Sequence, residues 1–102
     1  MYLIVTTLYP NDKLKETAKM YLNAMKKYPD DASLATPVVQ AAARTTIQGV
    51  RVISVVDVKK GKFEDAYALV VKRMRMLDNI LGLRWVIKPY YNLEEAMKTI
   101  DM

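Results

Sequence analysis

The sequence predicts an α+β domain: a four-stranded antiparallel sheet, two long helices laid on one of its faces, and a short helix at the end of the chain. Three observations carry that expectation. Apolar, β-branched runs alternate with segments whose apolar residues recur at helical spacing. Pro10, Pro29, Gly49 and Gly82 fall where those segments should stop. The runs read as strands are apolar on both sides, which sets how the sheet must be covered.

Tyr2–Leu8 reads as the first strand, stopped by Pro10. "PNDKLKETAKMYLNAMKKYPDD" reads as a helix, with Asn11 or Asp12 available as its cap and Pro29 beyond its end. Leu14, Ala18, Tyr21, Leu22, Met25 and Tyr28 share one arc of that helix and mark its inward side. Lys15, Lys19 and Lys26 line the outer side and are expected to be solvated. "TPVVQAAAR" is ambiguous. Thr36 as cap and Pro37 at the first helical position would suit a helix, whereas Val38, Val39, Thr45, Thr46 and Ile47 favour a strand. With Gln48–Gly49 as a turn, the expectation is two antiparallel strands, Val38–Ile47 and Val50–Val58.

"KKGK" follows as a loop, with Gly61 as cap of the next helix and Glu64 and Asp65 in its first turn, where acids suit the helix dipole. That helix is expected to reach Leu81, with Gly82 as its stop. Phe63, Val70, Met74, Leu77 and Leu81 form one stripe on it. Leu69, Met76 and Ile80 form a second, which either the last helix or a neighbouring subunit is expected to cover. "LRWVIKPYY" reads as the fourth strand. "NLEEAMKTIDM" reads as a final helix with Asn92 and Glu95 in capping-box spacing. The order β-α-β-β-α-β with an added helix is the ferredoxin-like, split βαβ plan, and residues 1–102 form one such domain.

The chain has neither cysteine nor histidine, which excludes disulfides, zinc fingers, Cys–His and Ser–His nucleophile pairs, and a histidine haem ligand. No metal or cofactor is expected. The opening "MYLIVTTLYP" lacks a basic flank and is too short for a signal peptide or a membrane span, so a cytoplasmic protein without membrane attachment is expected. The net charge of +5 is spread along the chain and reads as a solvated surface. Nucleic acid is not expected as a partner: a sheet-type RNA platform needs aromatics on its central strands, and "RVISVVDV" offers none.

The third strand places Val50, Val52, Ser54, Val56 and Val58 on one side, and Arg51, Ile53, Val55 and Asp57 on the other. The fourth places Trp85, Ile87, Pro89 and Tyr91 opposite Val86, Lys88 and Tyr90. Two helices can dry one face only, and the other would expose a large apolar patch. A second copy of the sheet, packed face to face about a two-fold axis, is the expected cover.

The element order, the small size, the doubly apolar sheet and the ending "LRWVIKPYYNLEEAMKTI" resemble the dimeric α+β barrel superfamily, and most of all its short prokaryotic members of no assigned activity. That group includes antibiotic-biosynthesis monooxygenase-like and stress-responsive A/B barrel proteins. The resemblance is architectural and spans nearly the whole chain. It implies two sheets closed into a barrel across a dimer, with ligand pockets between sheet and helices or inside the barrel. The haem-degrading branch relies on a histidine that this chain lacks.

The candidate ligand-binding residues are Arg44, Arg51, Asp57 and Lys88 within strands, with Trp85 and Tyr90 as aromatic walls. Arginine among them would grip an anionic small molecule. The competing expectation places these charges at strand ends or in salt bridges such as Arg51–Asp57 or Arg44–Asp57. Tyr9, Tyr67, Trp85, Tyr90 and Tyr91 either line a pocket for a flat aromatic substrate or serve as core and rim packing. No catalytic residue is assigned. The functional expectation is a homodimer, or an assembly of dimers, that binds a small molecule. The alternatives are a cofactor-independent monooxygenase or isomerase, and a purely structural assembly module.

Overall fold

Apolar, β-branched runs, Pro punctuation and two helix-period segments give, in order, β1 (Tyr2–Tyr9), a 3-10 turn (Asn11–Lys13), α1 (Leu14–Lys27), β2 (Ala35–Thr46), β3 (Gly49–Val58), α2 (Phe63–Arg75), β4 (Arg84–Tyr90) and α3 (Leu93–Lys98). These elements come from a computed structural model that describes residues 1–102. The sheet order is β2-β3-β1-β4, antiparallel throughout, an α+β arrangement compatible with the ferredoxin-like plan. The ambiguous Thr36–Arg44 segment is strand. Its Pro37 and the Pro89 of β4 both lie in edge strands, where a missing N–H leaves no inner ladder bond unmade.

β1 alternates strictly: Leu3, Val5, Thr7 and Tyr9 are buried toward the helices, while Tyr2, Ile4, Thr6 and Leu8 are half-buried on the other face. Leu3, Val5 and Val58 meet Ala66, Val70, Met74, Leu77 and Ile80 to form the core. Side chains of β1 paired with Val52, Ser54 and Val56 of β3, and with Trp85 and Ile87 of β4, continue the same face.

Several local expectations are corrected. The β2–β3 hairpin turns at Ile47–Gln48, one residue earlier than expected, because Gly49 pairs with Thr46 and the Thr46 hydroxyl donates to the Gly49 carbonyl at 2.7 Å. Gly49 has φ +137°, and a Cβ there would lie 2.3 Å from the Tyr9 carbonyl oxygen, so only glycine fits. Asn11 does not cap α1. Its side-chain amide donates to the Thr46 carbonyl at 3.2 Å and ties the end of β2 to the start of α1. Nor does Gly61 cap α2: Lys62 holds that position and Gly61 sits in a left-handed turn. Past Arg75 the chain tightens into i→i+3 turns rather than continuing as α-helix to Leu81. That change draws Leu77 and Ile80 into the core and leaves Leu81 exposed.

The inward side of α1 is also rotated from the expected arc. Thr17 and Ala24 are buried, and Met20, Tyr21 and Tyr28 half-buried, whereas Leu14 and Leu22 are more than half exposed. The capping box of α3 forms as expected: the Glu95 N–H donates to Asn92 Oδ1 at 2.8 Å and the Asn92 N–H to Glu95 Oε1 at 2.9 Å. No residue of α3 is buried, so α3 does not complete the core.

Candidate functional site

The helices and sheet do not close completely on each other. Between α1, α2 and the sheet lies a cavity of about 230 Å³. Its floor is Val5, Thr7 and Val52; α1 supplies Thr17, Ala18 and Tyr21; α2 supplies Val70 and Met74; β2 supplies Ala41 and Ala43. The space exists because small side chains meet there. Alanines on β2 face an alanine and a threonine on α1, where leucines would have filled the gap. β2 contributes an irregular stretch, with its register slipping between Pro37 and Ala42, and the Ser54 hydroxyl donates to the Gln40 carbonyl at 2.8 Å to hold it.

Few polar groups enter this space, and each has a physical character that matters. The Thr17 hydroxyl is buried without any hydrogen-bond partner, on a residue only 6% exposed. Such a group is costly to leave unmade, at about 1–3 kcal/mol. Burial raises the Tyr21 hydroxyl above its ordinary pKa, opposed by the Arg73 guanidinium and reinforced by Asp30, so it stays protonated and able to donate. Burial raises Tyr9 as well. Arg73 stands at one end, its Nε donating to the Tyr28 carbonyl at 2.7 Å and its Nη2 paired with Asp30 at 2.9 Å. That fork ties α2 to the chain leaving α1 and leaves the charge already matched. The cavity therefore offers an apolar wall, one orphaned hydroxyl and no unpaired charge.

The residues singled out from sequence lie elsewhere. Arg44, Arg51, Asp57, Lys88 and Tyr90 are all on the face of the sheet away from the helices. Strand register arranges that face in rows. Thr36, Asp57, Tyr2 and Tyr90 form one end row, and Arg44, Arg51, Leu8 and Arg84 form the other. Between them lie Val55, Ile4 and Lys88, then Ala42, Ile53, Thr6 and Val86. At about 6.8 Å per row the two ends are roughly 20 Å apart, so these residues do not converge on one ligand. The expected contact between Asp57 and Arg44 or Arg51 does not form. Asp57 lies 3.7 Å from the N-terminal ammonium, while Arg44 and Arg51 stand directly opposite each other.

Trp85 is on the helix-covered face at the other edge. Its indole donates to Asp78 at 2.8 Å beneath the Arg75 guanidinium, 5.2 Å from the ring. The aromatic set disperses too: Tyr9 is buried at the cavity, Tyr67 stacks on Phe63 at 5.9 Å, and Tyr90 and Tyr91 are exposed. Sequence reasoning passed over Thr17, Ala41 and Ala43. The available signals were slight: Thr17 at the margin of the apolar arc of α1, and a run of three alanines, Ala41–Ala43, within a strand. No group of three or more acidic, histidine or cysteine side chains is placed to hold a metal, and no helix is long and apolar enough to cross a membrane. Comparison with known proteins finds no matching family model, no matching curated protein and no matching solved structure.

Proposed function

We propose that this protein is a homo-oligomer of the ferredoxin-like, dimeric α+β barrel type that holds a small, uncharged, largely apolar molecule between α1 and the sheet. The observation that carries the ligand is the cavity with the unpartnered Thr17 hydroxyl at its wall. A space of about 230 Å³ suits a ligand of roughly ten heavy atoms, somewhat larger than the benzene that fills a 150 Å³ cavity. The Arg73–Asp30 pair at its end favours a neutral ligand, because neither charge is left for an ionic one. One polar group on the ligand would meet the Tyr21 hydroxyl, or that of Thr17 once its side chain turns toward the cavity. Binding is favoured over turnover: the tyrosines stay protonated and Asp30, the only carboxylate at the wall, is held by Arg73.

Native mass spectrometry of freshly purified protein, followed by 15N–1H spectra with neutral ring probes such as indole and p-cresol, tests this reading. Retained small-molecule mass, or probe shifts at Thr17, Tyr21, Val52 and Met74 that disappear in Val52→Phe, is the expected result. No retained mass and no probe shift at these residues would reject the ligand reading.

A further inference from the structure

The open face of the sheet carries its own partner code. The chain exposes 7132 Å². A compact monomer of 11.7 kDa would expose about 5,900 Å², so roughly 1,200 Å² is in excess, shared between the open face and β2, which is exposed along most of its length. A stable interface needs about 800 Å² from each partner. Its radius of gyration, 14.7 Å, also exceeds the roughly 13 Å of a compact domain this long. On the open face Ile53 is 38% exposed and Val86 44%, both in the row beside the arginines. This is the face that a second copy would dry.

The rows decide how that copy must lie. Arg44, Arg51 and Arg84 share one end row, and none of them makes an ion pair within the chain. Arg44 and Arg51 are direct cross-strand neighbours, an unfavourable arrangement unless an acid lies across from them. The acid is at the opposite end: Asp57 lies in the other end row, in reach of the same ammonium that Glu95 of α3 meets at 2.7 Å.

With the strands of the two sheets aligned, two face-to-face arrangements have two-fold symmetry. An axis running along the strands would stack each arginine row on its own copy and bring six guanidinium groups together. An axis running across the strands, between the rows of Ile4 and Thr6, stacks each end row on the opposite one. Each strand then crosses its own copy, Arg51 meets Asp57 of the second copy, and Arg84 meets the ring of Tyr90 of the second copy. Val55 and Ile53 pack on each other at the centre. Aligned sheets lie about 10 Å apart, a gap that an arginine and an aspartate span together.

We infer that a second copy of this chain covers the open face about a two-fold axis running across the strands, with Arg51 of each copy paired to Asp57 of the other. This rests on the homo-oligomer reading above, and the experiment separates the two. Dissociation constants of the full chain are measured by analytical ultracentrifugation at low and moderate salt for wild type, Ile53→Asp, Arg51→Glu, Asp57→Lys and the Arg51→Glu/Asp57→Lys double variant. Circular dichroism checks each fold, and Val86→Lys replaces Ile53→Asp should the latter unfold.

The expected results are a wild-type dimer, a folded monomer for the centre-of-face variant, at least tenfold weaker dimers for each single charge reversal, and recovery of most of that loss in the double variant. A monomeric wild type overturns both the homo-oligomer reading and this register. A dimer that survives the centre-of-face variant means the copies meet elsewhere, for example on the free edge of β2, and overturns the register alone. Tighter association in Arg51→Glu, or charge variants without effect while the centre-of-face variant dissociates, also overturns the register and leaves the homo-oligomer standing.

Discussion

Replacing Thr17 by valine exchanges the orphaned hydroxyl for a methyl of the same shape. The side chain is almost wholly buried, and its oxygen has no partner. Threonine and valine have nearly equal helix propensity, so the backbone term is small. Burying a hydroxyl unpaired costs about 1–3 kcal/mol, which the methyl does not incur. The ligand-free protein should therefore gain about 1 kcal/mol in Thr17→Val, or about 4–8 °C in melting temperature for a domain of this size. Ligand affinity should move the other way, weakening about threefold to tenfold through loss of one neutral hydrogen bond. Urea unfolding at one fixed protein concentration measures the first effect, since oligomer stability depends on concentration. Probe titration measures the second. A loss of about 1 kcal/mol in the variant would refute the reasoning, because it would mean that the hydroxyl is satisfied, by water or by the carbonyl one turn back.

Four further outcomes are expected. Val52→Asp should unfold or severely destabilise the protein, because Val52 faces the helices, whereas Ile53→Asp, one residue on and on the other face, should leave the subunit folded; denaturation curves of the pair check this. Leu3→Ala, at a fully buried site, should lose about 2–5 kcal/mol by urea unfolding. Gly49→Ala should lose at least about 1–3 kcal/mol in the same assay, since its Cβ would press into the Tyr9 carbonyl at a positive φ. Asp31, Asp78 and Glu95 all titrate below their ordinary values: Asp31 through the Ser33 hydroxyl and N–H, Asp78 mainly through the Trp85 indole N–H, Glu95 mainly through the Asn92 N–H. The unfolded chain therefore binds more protons than the folded one in acid, so their contribution is complete above about pH 5, beyond the unfolded values, and is lost as pH falls through the depressed folded values. Melting temperatures should hold from pH 7 to about pH 5 and fall below about pH 4; a flat or rising profile in that acid range would contradict the assignment.

The sequence by itself determined the order of elements, the double apolarity of the strands and the capping box of α3. Asn92 and Glu95 form their box because both partners lie within one turn, whereas Gly82, although left-handed at φ +82°, is not the stop of α2, which ends at Arg75. It also determined that Ile53 and Val52 oppose each other, since strand periodicity is local. What the sequence could not determine depends on pairing between distant segments. The register that puts Arg44 opposite Arg51 rather than opposite Ile53 is fixed by where the hairpin turns, one residue earlier than expected, with Gly49 packed against the Tyr9 carbonyl. The rotation of α1 that buries Thr17 and exposes Leu14 depends on how the helix seats against its neighbours, which no periodicity reports. The cavity is further removed still: it is a shortage of volume shared by α1, β2 and β3, and only their packing in three dimensions reveals it.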